Sequence, residues 1–264
     1  MCQPSAFNVQ YEINPWMQGN INHVDILLAW NQWESLKNTI EFCGAQVLLT
    51  ADPPQNCPDA VFTANAGIAL NELFLPSRFT HAERQVEEPF FEHALAAHGM
   101  QIVSPPKTFT CEGAGDALFI ASHDFLWLGT GFRTTPPAAG IIEHLLNVHV
   151  QALELVDPRF YHLDTCFCPL DVGGLLWYPG AFSAASQNFI RAFYADRAIE
   201  VLESDALNFA CNAISIGEDI ILSNISDGLV KELLQKGLRV HQKDMSQFML
   251  AGGACKCLTL ELVH

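Results

Sequence analysis

Residues 117–156 read ALFIASHDFLWLGTGFRTTPPAAGIIEHLLNVHVQALELV. Two apolar runs, Ala117 to Leu128, flank the turn residues Ser122-His123-Asp124 and read as a hairpin. A helical run from about Pro137 to Leu146 follows, and then an extended apolar stretch, Val148 to Val156. The order is strand, strand, helix, strand.

The helix-then-strand half of that order occurs at five places. Asn31 to Cys43 leads to Gln46–Leu49, Thr80 to His98 leads to Met100–Val103, and Pro137 to Leu146 leads to Val148–Val156. Ser183 to Tyr194 leads to Ile199–Leu202, and Asp227 to Gln235 leads to Leu238–His241. Gly44, Gly99 and Gly237 stand just past three of these helices, where a left-handed residue stops a helix at little cost. Hairpins fall between the units: Ala60–Leu75 turning at Asn71-Glu72, Ala117–Leu128, His162–Tyr178 turning at Asp171–Gly174, and Ala213–Leu222 turning at Gly217-Glu218-Asp219. A fifth pair would take Cys257–Val263 against Phe7–Ile13 and close a ring. The spacing, very roughly 50 residues, predicts an α/β repeat fold. An ordinary open α/β sheet is the simpler alternative.

The 264 residues are half hydrophobic by count, enough for a sizeable core. With 29 acids against 13 bases, the net charge of −16 argues against nucleic acid, whose binding rests on Lys and Arg. It suits a small cationic substrate. Met1 to Tyr11 has no basic segment followed by an apolar run, and no stretch offers about 20 apolar residues, so neither a secretory signal nor a membrane span is expected. The nine cysteines then read as reduced thiols in a cytoplasmic protein. A homo-oligomer is compatible with all of this.

Polar groups recur at matching places, near the start of each hairpin. They are Thr63-Ala64-Asn65, Glu112-Gly113-Ala114-Gly115-Asp116, His162-Leu163-Asp164-Thr165, Asn208 with Cys211-Asn212, and Gly252-Gly253-Ala254-Cys255-Lys256-Cys257. Polar groups in apolar strands are costly unless paired or used. If the repeats form a ring, these positions face one central space. A thiolate attacks electrophilic carbon at neutral pH. A histidine can protonate a leaving amine and then activate water. Carboxylates clamp a planar cation.

The plain readings compete. A histidine is ordinarily structural, and this chain has ten; His162 stands out because Asp164 follows two residues later. Cysteine is commonly a small buried hydrophobe. Glu112 and Asp116 flank glycines and could shape a turn, and Asn65 could cap one. Cys166-x-Cys168 with Cys255-x-Cys257 could hold zinc, although that spacing is tighter than structural zinc sites use.

His162-Leu163-Asp164-Thr165, the Glu112–Asp116 glycine motif and Gly252-Gly253-x-x-x-Cys257-x-Thr259-Leu260 resemble the guanidino-group-modifying, or pentein, superfamily. It includes arginine deiminases, dimethylarginine dimethylaminohydrolases, amidinotransferases and arginine dihydrolases. The resemblance spans Asn14 to Leu260. It implies a five-bladed pseudo-symmetric α/β propeller with a central active site, residues 1–264 forming one catalytic domain, and no cofactor or metal. It also implies Cys257 as the nucleophile that attacks the guanidinium carbon, His162 as general acid/base and Glu112 beside it. Asp164, Asp116 and Asn65 would contact substrate, and Arg133 and Arg84 would hold its carboxylate. Cys257 is preferred to Cys255 because it lies two residues before Thr259. Asn14-Pro15-Trp16-Met17 with Gly19-Asn20 is similar to the N-terminal segment of arginine dihydrolases, which places Asn14 at the substrate.

Asn65 stands where deiminases usually carry aspartate, as it does in dihydrolases. A neutral amide holds guanidinium less tightly and lets a ureido intermediate such as citrulline stay and react again. The expected products are ornithine, carbon dioxide and two ammonia. The alternatives are a dimethylargininase or deiminase that stops at citrulline, an amidinotransferase, and an inactive binding protein of the same fold.

Overall fold

The computed structural model describes residues 1–262. It contains four three-stranded sheets, each built the same way: an antiparallel hairpin whose second strand pairs in parallel with a third. The first sheet is β1 (Gly67–Leu70), β2 (Leu73–Pro76) and β3 (Gln101–Ile102). The second is β4 (Ala117–Phe119), β5 (Phe125–Thr130) and β6 (His149–Glu154). The third is β7 (Phe167–Pro169), β8 (Leu175–Trp177) and β9 (Ala198–Glu200), and the fourth is β10 (Ile214–Ile216), β11 (Asp219–Ser223) and β12 (Arg239–Lys243). The chain is an α/β protein with hairpins where the turn residues put them. Asn71 and His123 take the left-handed backbone that such tight turns require, with φ of 53° and 58°.

The helices are α1 (Ile26–Phe42), α2 (Ala82–Gln85), α3 (Glu88–Ala97), α4 (Ala138–Leu146), α5 (Ala184–Tyr194), α6 (Glu203–Ala206), α7 (Asp227–Gln235) and α8 (Ser246–Met249). Parallel neighbours need a crossover, and α3, α4, α5 and α7 supply one in each sheet. Asp25, Ser183 and Ser226 cap α1, α5 and α7 by accepting from first-turn amides. None of the described helices is long and apolar enough to cross a membrane. Buried aromatics pack between neighbouring sheets. Trp127 of β5 is fully buried against Phe167 and donates from Nε1 to Tyr194 Oη at 3.0 Å.

Three expectations fail. Thr80–His98 is two helices, because the chain turns at Val86-Glu87 and restarts with Pro89 in the first turn of α3, where its missing N–H costs nothing. Gln46–Leu49 is not a strand. The pairing of Cys257–Val263 with Phe7–Ile13 is absent, since no strand occurs among the described residues of either segment; Val263 lies outside them. The chain start lies against residues 48–50 instead, with Met1 N donating to Leu48 O at 2.8 Å and Thr50 N to Met1 O at 3.1 Å.

The hairpins also begin later than the apolar runs suggest. Residues 63–66, 113–115, 163–165 and 256–258 form 3-10 turns. Three of these turns run straight into a first strand, and all four hold expected site residues or flank them. They pack on one another. A Cβ on Gly113, at φ +61°, would lie 2.6 Å from Gly67 N, so only glycine fits.

Candidate active site

Cys257 sits in the last of these turns. Gly252 and Gly253 lead into it, and both are required. A Cβ on Gly252 would lie 2.8 Å from Tyr161 Oη, and one on Gly253 2.6 Å from the Phe62 ring. The Cys257 thiol donates to Asp164 Oδ2 at 3.3 Å and accepts from Asn212 Nδ2 at 3.1 Å. Burial, and next Asp164, push the thiol well above its ordinary pKa. Burial pushes Asp164 up to about 7 despite the hydrogen bond from Cys257. Asp164 Oδ1 is buried without a partner. A buried acceptor without a donor is rare and needs a reason.

His162 Nε2 lies 2.8 Å from Glu112 Oε2. Burial pushes the imidazolium down to about 4 against the pull of Glu112, so the ring is neutral at pH 7. Burial alone would raise Glu112, but Arg133 and the His162 hydrogen bond outweigh it and hold the group well below the usual carboxylate range. Arg133 Nη1 donates to the same Oε2 at 3.0 Å, and Thr80 N donates to Oε1 at 3.2 Å. Glu112 is therefore a fixed anion orienting the imidazole.

Ile13, Asn14, Asp59, Asn65, Arg84, Arg133, Tyr161, His162, Gly252, Gly253 and Cys257 line one narrow cleft with Met17, Phe62 and Ala251. It thus brings together most of the residues picked out in the sequence. Asn14 donates to Tyr161 Oη and Ala251 O, and its Oδ1 accepts from Trp16 N and Met17 N, which ties the N-terminal segment over the cleft. Asn65 accepts from Arg84 Nη1 at 2.8 Å and donates to Glu112 O at 3.2 Å, leaving one N–H of its amide unused. A larger groove lined by Leu118, Phe167, Ile214 and Leu260 contains neither His162 nor Cys257.

Two expected substrate contacts are otherwise engaged. Asp116 is outside the cleft. Its Oδ1 accepts from Leu163 N at 3.0 Å and its Oδ2 from Thr134 Oγ1 at 2.6 Å, so it braces the turn that carries His162. Arg84 lines the cleft, but its fork is spent on Glu87, on Asn65 Oδ1 and on Asp59 O, which leaves one free N–H. Arg133 keeps three, since only Glu112 and Ile13 O take its protons, and it lies 4.6 Å over the Tyr161 ring.

The zinc alternative fails among the described residues. All nine thiols are free, and the four proposed ligands do not converge. Cys166 donates to His162 O and Leu163 O, and Cys168 to Ala213 O. Sequence reasoning noticed Asn212 in the fourth polar cluster without giving it a task, and it passed over Asp59 and Tyr161. Asp59 had no motif to mark it. Asn212 could have been found by its match in position with Asn65 and Asp164.

The cleft makes a testable statement about the thiol. Replacing Asp164 with asparagine removes the negative charge beside Cys257, so the thiolate forms more readily. The pH profile of Cys257 alkylation by a neutral haloacetamide is expected to move down by about one pH unit. An unmoved profile in a folded variant would detach Asp164 from the thiol.

The family described as N,N dimethylarginine dimethylhydrolase, eukaryotic, matches residues 6–264. The chain is 44% identical, over its whole length, to the bifunctional arginine dihydrolase/ornithine cyclodeaminase ArgZ of Synechocystis sp., and spans 37% of that protein's length. It is 37% identical to an N(G),N(G)-dimethylarginine dimethylaminohydrolase of Mycobacterium tuberculosis, with 99% of this chain and 84% of that one covered. Its structure is similar, at a TM-score of 0.97 and 44% identity, to the N-terminal domain of an asparagine-to-serine variant of ArgZ covalently bound to a reaction intermediate. That match covers 100% of this chain and 96% of the other.

Proposed function

The chain belongs to the N,N dimethylarginine dimethylhydrolase family, within the guanidino-group-modifying superfamily, and from that premise we propose that it is an arginine dihydrolase. The observation that carries the reading is the pairing of Cys257 with Asp164, whose second oxygen lacks a donor, in a site that also holds a neutral His162. A guanidinium supplies both missing elements: N–H donors for Asp164 Oδ1 and a fixed positive charge beside the thiol. That charge lowers the thiol pKa, so the substrate itself generates the nucleophile.

As the substrate binds, the Cys257 thiol gives up its proton and neutral His162 takes it up. Cys257 Sγ attacks the guanidinium carbon, and ammonia leaves with the proton that His162 then returns. Water, deprotonated by His162, then displaces the thiolate and leaves a ureido group. Arg133 has the free N–H groups to hold the substrate carboxylate, Asp59 lies in the same cleft as a partner for the ammonium, and Arg84 serves chiefly to orient Asn65. Asn65 favours the second round. Its spare N–H can donate to a ureido oxygen, which a carboxylate would repel. Attack on that carbon expels a second ammonia, and hydrolysis of the resulting thiocarbamate gives a carbamate that decays to ornithine and carbon dioxide. Two waters are consumed.

Residues 1–264 would form one catalytic domain. The four sheets, with α1 and the ladder between Met1 and residues 48–50 as a fifth element, would stand as a five-bladed propeller around the packed 3-10 turns.

Product analysis with L-arginine tests the activity. Ornithine with two ammonia per arginine is expected. Citrulline with one ammonia would overturn the dihydrolase reading and leave a deiminase. Turnover of dimethylarginine alone, with release of dimethylamine, would make the chain a dimethylargininase.

A further inference from the structure

A second group of metal-ligating side chains lies away from the cleft. Cys43 is the residue that ends α1, Asp219 opens β11, and His241 lies in the middle of β12. Their ligand atoms are all within 4.8 Å of one another. Metal–ligand bonds of about 2.0–2.3 Å put tetrahedral ligands about 3.3–3.8 Å apart, so shifts of about 1 Å or less would bring the three atoms to that spacing. None of the three residues lines the cleft.

We propose that Cys43, Asp219 and His241 bind a divalent transition-metal ion of the zinc class, clasping the end of α1 to the fourth sheet. The donor set, one thiolate, one imidazole and one carboxylate, suits zinc and disfavours magnesium and calcium, which take oxygen ligands. In the structure Asp219 is held by other partners. Arg239 donates to it from Nε at 2.9 Å and from Nη2 at 2.7 Å, and His241 Nε2 lies 2.7 Å from Oδ1. Arg239 has somewhere else to go. Its side chain is 61% exposed, and its Nη1 already reaches Glu218 Oε2 at 2.7 Å. Its departure frees Asp219 and removes a cation from the site. Lys243 is the other cation near the thiol, and Phe42 packs edge-on against the His241 ring. On binding, the Cys43 thiol proton is released to solvent, and His241 gives its Nε2 lone pair to the metal.

The clasp is tested with cobalt(II), whose bond to a thiolate gives a near-ultraviolet charge-transfer band. The full chain carrying Cys257→Ser serves as background, so that the cleft thiol cannot contribute. A band saturating at one cobalt per chain is expected. It should be lost in Cys43→Ser and in His241→Asn, and reached at lower cobalt in Arg239→Gln. Circular dichroism of the metal-free variants confirms that each is folded. No band at saturating cobalt, or a band that survives His241→Asn, overturns the site. With Cys257 intact, Cys43→Ser is expected to keep its arginine turnover.

Discussion

Serine at position 257 is expected to lower kcat for arginine by about 10⁴-fold or more, with the protein still folded. The substitution changes one atom. Asn212 Nδ2 and Asp164 Oδ2, which now meet the sulfur, can meet a hydroxyl in the same place. What disappears is the nucleophile. The guanidinium charge can lower a thiol toward neutrality, but a hydroxyl begins too high for that, and Asp164 and His162 are too weak as bases to remove its proton in the ground state. His162 is held by Glu112 and is neutral, so the machinery for the leaving group stays intact and idle. The measurement is single-turnover kinetics beside mass analysis of the trapped protein. Activity within about tenfold of the parent would move the chemistry to another residue. Cys255 is a poor replacement. It is fully buried, lies outside the cleft, and burial pushes its thiol up to about 12.

The sequence made this cysteine legible, and the reason is physical. Gly252 and Gly253 exist because Tyr161 and Phe62 crowd them, and a glycine pair forced by close approach is visible as a motif before any coordinates are. The hairpins were legible for the same kind of reason, since tight turns at Asn71 and His123 need residues that tolerate positive φ. The 3-10 turns were not. Val61-Phe62-Thr63-Ala64 is as apolar as a strand, and periodicity alone does not separate four such residues from one. The closing strand failed because Cys257 belongs to a turn, where the thiol must meet Asp164 and Asn212 together. Asp116 and Arg84 show the remaining limit. A buried carboxylate or guanidinium in a motif signals a fixed position, but only its partners show whether it is spent on the ligand or on the scaffold. Here Leu163 N with Thr134 takes the first, and Glu87, Asn65 and Asp59 O share the second.

Asn212 is the residue the structure adds to this set, and its removal is the second large effect expected. Its side chain is fully buried, and each polar atom is used twice. Nδ2 donates to Cys257 Sγ and to Asp164 O, while Oδ1 accepts from Ala254 N and Cys257 N. One amide thus fixes the backbone on which the nucleophile stands and supplies a hydrogen bond that favours the thiolate. Alanine at 212 leaves two buried amides unpaired, at a cost of about 1–3 kcal/mol each. It also withdraws the donor from sulfur. The expected result is a kcat lower by about 10²-fold, with KM for arginine little changed because the polar atoms of Asn212 are already engaged within the protein. The sign of the pH effect distinguishes this from a general loosening. The Asn212 hydrogen bond lowers the thiol pKa, whereas Asp164 raises it. The alkylation profile of Cys257 should therefore move to higher pH in Asn212→Ala, and to lower pH in Asp164→Asn. Asn212→Asp separates the two tasks, since it keeps the acceptor for Ala254 N and Cys257 N while giving the sulfur an anion in place of a donor. It is expected to lose at least as much kcat as alanine does. A wild-type kcat in either variant, or a profile that moves to lower pH in both Asn212→Ala and Asp164→Asn, would reduce Asn212 to packing.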